Sequence, residues 1–139
     1  MSKPPRYDYK VRNFDRALEK LREVVTWPSD RLDDVHLESA IQRFGSTYEL
    51  AWKTTREVLL HRDGTLQVLG SRDAVRFGFE RGLIADRQVW FDMIDDRHRT
   101  SHVYNERLAR EIFDNVVAHY LPALSELRER IRSLTAEGQ

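Results

Sequence analysis

The chain has no cysteine. That absence removes disulfides, thiol nucleophiles and thiolate zinc sites in one step. Missing too is any apolar run near the roughly 20 residues that a membrane-crossing helix needs, because charged residues interrupt every stretch, and no membrane association is expected. No secretory signal pattern opens the sequence, so a cytoplasmic location is the expectation. Net charge is also lacking. The 23 Lys and Arg balance 23 Asp and Glu, so no global positive field draws in nucleic acid, and contact with phosphate has to be local. Strand-like alternation, internal repeats and low-complexity tracts are not seen.

What is present is a 40% hydrophobic and 33% charged chain of 139 residues, the mix that amphipathic helices around one core require. Residues 1–10, with Pro4-Pro5, read as a flexible arm, and Asn13 is placed to cap a helix reaching about Val25. Phe14, Ala17, Leu18, Leu21 and Val24 form its apolar face. From Leu37 to Leu59, apolar residues keep helical spacing through Phe44, Tyr48, Ala51 and Trp52 despite Gly45, which predicts a long central helix. Ser71 can cap a short helix that stops at Gly82, and Asp86 a second whose buried stripe is Val89, Trp90, Met93 and Ile94. A final helix is expected from the 100–105 region to about Leu134, with Pro122 kinking it or marking a junction. The sum is an all-α bundle of about five helices forming one domain over residues 11–134, followed by a disordered tail at 135–139.

Chemistry concentrates in Asp95-Asp96-Arg97-His98-Arg99-Thr100-Ser101-His102-Val103-Tyr104-Asn105. Arg97 and His102 are five residues apart, so on an unbroken helix they would point about 140° from each other. They could not then act on one group, so a helix break between them is required. A last helix starting near Thr100 or Ser101 would place His102 in its first turn, where the dipole disfavours imidazolium and free N–H groups attract phosphate. Such a site suits metal-free RNA cleavage: a neutral imidazole takes the proton of a ribose 2′-hydroxyl while Arg97 stabilises charge on the phosphate, leaving a cyclic phosphate and a 5′-hydroxyl. The alternative is a capping histidine beside a surface ion pair of Arg97 or Arg99 with Asp95 or Asp96, a solvated cluster of small energetic weight.

Other patterns point less far. His98 and His102 have half the spacing of a zincin motif, but Arg99 stands where the acid should be and no third ligand is near, so no metal is expected. Asp92 and Asp96, also four apart, read more readily as salt-bridge partners than as a magnesium site. The aromatics of Arg43-Phe44-Gly45-Ser46-Thr47-Tyr48-Glu49-Leu50-Ala51-Trp52-Lys53 read as core, with Glu49 and Lys53 an i, i+4 pair.

That run, followed by Gly82-Leu83-Ile84 and by Arg97-x4-His102-x-Tyr104-Asn105, resembles the nucleotidyltransferase substrate-binding branch of the HEPN superfamily, over about Phe14 to Arg132. The resemblance implies an up-and-down helical bundle and a homodimer. It also implies a minimal nucleotidyltransferase as partner, up to a heterotetramer with it, in pairs that behave as toxin and antitoxin. In such relatives the motif lines a ribonuclease cleft at the dimer interface, with RNA as substrate and no cofactor. Carried over, it makes Arg97 the transition-state stabiliser and His102 the general acid/base; His98, which stands where many relatives have asparagine or another small polar residue, Asp96 and Ser101 are read as supporting residues. Tyr104 takes the position at which the partner transfers AMP from ATP, silencing the toxin. The same resemblance admits a non-catalytic substrate-binding subunit. A cleft built by two chains would leave an exposed apolar stripe on the last two helices.

Overall fold

The computed structural model describes residues 7–27, 33–102 and 105–137, and of 101, 102 and 135–137 the backbone alone. The chain forms α1 (Asp8–Val25), α2 (Asp34–Arg62), α3 (Ser71–Glu80), α4 (Arg87–His102) and α5 (Glu106–Asn115), then a π-helical turn (Val116–Tyr120) leading into α6 (Leu121–Glu137). The last three run on without interruption, so the bundle has five rods, and no strand occurs among the described residues. The expected all-α class holds.

The central helix α2 is the hub, packing against α1, α3, α4, α5 and α6. Its start lies earlier than Leu37, because Asp33 caps it by accepting a hydrogen bond from the His36 N–H at 2.8 Å. Small residues on α2 let its neighbours come close: Thr47, Thr54 and Thr55 are buried, and the hydroxyls of Thr47 and Thr55 donate to the carbonyls of Arg43 and Ala51 one turn back. Phe44 is fully buried and stacks on Tyr120 of the π turn with ring centroids 5.4 Å apart. Phe14, Leu18, Leu21 and Val24 bring α1 onto the same core, as their spacing requires.

Three expectations are corrected. The first helix begins at Asp8 rather than after an Asn13 cap, so residues 8–10 of the expected arm are helical. Tyr7 is the cause, for it is buried edge-on against His61 and accepts the Val11 N–H at its carbonyl, which draws the first turn into the fold. At the other end α6 continues to Glu137, past the expected boundary at 134, over helix-compatible residues that follow the core-packed Leu134. Finally, the last rod starts at Glu106, not near Thr100. Asn105 caps it, its side chain accepting the Leu108 N–H at 3.2 Å.

Pro122, expected to kink the last helix or to mark a junction, follows directly on a π turn within one continuous rod. Lacking an N–H, and with a ring that would strike the carbonyl four residues back, it cannot continue a straight α-helix. The chain answers with the π turn, in which Leu121 N–H reaches the Val116 carbonyl five residues back. Apolar positions on α5 and α6, among them Ile112, Leu124, Leu127 and Ile131, face inward. The expected exposed apolar stripe does not appear on these helices among the described residues; Val117, 48% exposed, is the one large apolar side chain there that faces water.

Candidate functional site

Helix α4 carries the candidate segment. Asp86 opens it, its carboxylate accepting the N–H groups of Gln88 at 3.1 Å and Val89 at 3.4 Å. Trp90, Met93 and Ile94 anchor its inner face. Beyond Ile94 the helix runs straight through residues 95–102. Each step turns about 100°, so neighbouring residues of the cluster meet different surroundings.

Asp96 is 5% exposed. One carboxylate oxygen accepts Arg99 Nη1 at 2.9 Å, and the other accepts Asn115 Nδ2 at 3.1 Å and the Tyr120 hydroxyl at 2.5 Å. A buried carboxylate is tolerable when it has a cation and several donors, and Asp96 has both. Burial pushes the Tyr120 hydroxyl far above the ordinary tyrosine range, and the bond to Asp96 adds to that. Arg99 also reaches Glu111 at 3.3 Å. On this flank Asp92, Asp95 and Asp96 line an open groove of about 580 Å³. Arg99 and His119 share its lining.

Arg97 has other neighbours. Half-buried, it lays its guanidinium against α2 at Gly45, where a side-chain carbon would stand 2.9 Å from Arg97 Cζ. One turn along α2 lies the buried Tyr48, near enough to Ser71 at the start of α3 for that hydroxyl to lower its pKa. Its burial raises its pKa, while Ser71 and the charges of Arg97 and Arg72 pull the other way. His98 faces solvent, and the Thr100 hydroxyl donates back to the Arg97 carbonyl at 2.9 Å.

The helix break expected between Arg97 and His102 falls after His102 instead, because Asn105 rather than Thr100 or Ser101 supplies the cap. Both backbone positions lie on one continuous helix, diverging by about 140° over a rise of about 7.5 Å. Position 102 sits at the negative end of the α4 dipole, not in the first turn of the next helix. The side chains of Ser101 and His102, and Tyr104 altogether, lie outside the described residues. The structure thus brings Arg97 to Gly45 and within electrostatic reach of Tyr48, and Asp96 to Asn115 and Tyr120. Sequence reasoning did not find Gly45 as a neighbour of Arg97. The only local sign was a glycine kept inside a helix.

Residues 9–133 match the family described as nucleotidyltransferase substrate binding protein like. A Haemophilus influenzae protein described as a probable ribonuclease HepT is 28% identical over 132 residues, spanning 84% of this chain and 90% of that one. A solved structure from the same organism, described as the fold of a substrate binding domain of a nucleotidyltransferase, superposes with a TM-score of 0.78 at 28% identity, covering 88% and 98% of the two chains. A tri-AMPylated Shewanella oneidensis HEPN toxin in complex with its MNT antitoxin gives a TM-score of 0.74 at 19% identity over 96% and 99%, a likeness of fold. With a match that takes in nearly the whole bundle, this chain belongs to the nucleotidyltransferase substrate binding protein-like family.

Proposed function

We propose that this protein is the HEPN-type partner of a minimal nucleotidyltransferase and acts as a metal-independent endoribonuclease, with Arg97 and His102 as its catalytic residues. The observation that carries the proposal is the setting of Arg97, a half-buried guanidinium held on the flank of α4 away from the acidic groove and on the same helix as His102. In the reaction the ribose 2′-oxygen attacks phosphorus and the bond to the 5′-oxygen breaks. His102 takes the 2′-hydroxyl proton, and an imidazolium returns one to the leaving oxygen. Arg97 stabilises the added negative charge on the phosphate. His98 and Ser101, adjacent to the pair, would contact the RNA backbone, while Asp96 supports the site by fixing α4. Because positions 97 and 102 diverge on one helix, the working cleft is assigned to a homodimer, in which two copies supply two such pairs, within a heterotetramer with the partner.

Control follows from chemistry at Tyr104. The partner would transfer AMP from ATP to its phenolic oxygen, releasing pyrophosphate, and the added anion beside His102 would exclude phosphate by charge and volume. Incubation with the partner nucleotidyltransferase and ATP should add the mass of AMP and abolish RNA cleavage, whereas Tyr104→Phe should stay active after the same treatment. Equal silencing of both proteins would contradict this control. A second reading, a non-catalytic subunit that presents substrate to the nucleotidyltransferase, draws support from the divergence of positions 97 and 102 on unbroken α4. It expects partner binding and no cleavage by the untreated protein.

A further inference from the structure

Gly45 lies well inside α2, a place where glycine is the poorest helix former after proline. Its φ is unexceptional, so backbone conformation gives no reason for it. Space does. A side-chain carbon on residue 45 would stand 2.9 Å from Cζ, 3.0 Å from Nε and 3.1 Å from Nη1 of Arg97. All three atoms belong to the guanidinium, so the planar group rests directly on the α2 backbone. The next turn of α2 supplies Tyr48, buried and within electrostatic reach of both Arg97 and Arg72. The guanidinium therefore has a floor at Gly45.

We propose that Gly45 is a positioning residue for Arg97, its missing side chain setting the depth and tilt of the guanidinium that faces the phosphate. The functional consequence rests on the ribonuclease reading above; the geometric content does not. Any larger residue lifts the group off α2. Because the clash is with the far end of a long side chain rather than with backbone, the lift leaves the bundle intact.

The test uses full-length protein carrying Gly45→Ala, Arg97→Lys, or both. Three quantities are read: the melting temperature, the Nε–Hε resonance of Arg97 in 15N-arginine-labelled protein, assigned by its loss in Arg97→Lys, and steady-state RNA cleavage. Gly45→Ala should melt no lower than the parent, since alanine favours the helix. It should shift the Arg97 resonance and lower kcat by roughly 10- to 100-fold, with KM changed less than about threefold, because displacement of about an ångström costs that much at a reacting centre. On the Arg97→Lys background, where no planar group meets the new carbon, Gly45→Ala should add little further loss.

An unmoved resonance with unchanged kcat overturns the proposal. So does an equal loss on both backgrounds, which would show an effect not passing through Arg97, and so does unfolding of Gly45→Ala. If the parent protein cleaves no RNA, the ribonuclease reading fails by itself. The arginine resonance then decides the positioning claim alone, a shift supporting it and an unchanged signal sinking it.

Discussion

Asp96 and Arg97 are adjacent in sequence yet serve different surroundings, because a helix turns about 100° between them. Asp96 ends against Tyr120, whose hydroxyl is pushed up by burial and then by the carboxylate; Tyr48 is pushed up chiefly by burial. In the unfolded chain both should ionise near pH 10. Above that value the unfolded state loses these protons while the folded state keeps them, so stability falls as pH rises. The contribution of both groups is intact below about pH 10 and is lost as pH climbs through their folded values. A phenolate absorbance titration of this five-tyrosine chain should show two late groups that ionise together with loss of helix. Full, reversible titration of all tyrosines with the helix intact would contradict the burial argument.

Between elements, the Asp96 cluster joins α4 to α5 and the π turn, and it stacks in series with Phe44 of α2 through Tyr120. Asp96→Ala strips the acceptor from three donors, one of them buried, and should cost about 2–3 kcal/mol in a urea melt, while Asp95→Ala, at the exposed pair with Arg72, should cost under about 1 kcal/mol. Equal effects would mean that Asp96 is no anchor. The elements themselves were mostly legible in the sequence. Helix α2 was readable because its apolar spacing is sustained, and the opening of α4 because Asp86 stands just ahead of a clear stripe. The junction at Pro122 was readable because proline cannot be accommodated silently. Boundaries decided by tertiary contacts were not. Tyr7 draws α1 forward through His61, a residue far along the chain, and Asn105 outcompetes Thr100 and Ser101 as a cap although all three are capping residue types. The candidate segment was legible as a dense cluster, but the break needed to let Arg97 and His102 converge was misplaced. The support of Arg97 by Gly45 was illegible, because close approach between helices leaves no periodic trace in either one.

At the scale of the whole molecule, a neutral surface and inward-facing α5 and α6 leave no apolar stripe on those helices among the described residues. With no net charge, any field that acts on a partner or on RNA is placed locally rather than spread over the molecule. The proposed ribonuclease depends on that local placement at Arg97 and His102, and one measurement addresses it most directly. The purified protein is incubated with mixed RNA in EDTA beside Arg97→Ala and His102→Ala, and product ends are analysed. The expected result is cleavage to cyclic phosphate and 5′-hydroxyl ends by the parent protein, reduced at least about 100-fold in each variant. No cleavage at high protein concentration, or cleavage that both variants retain, would contradict the ribonuclease assignment.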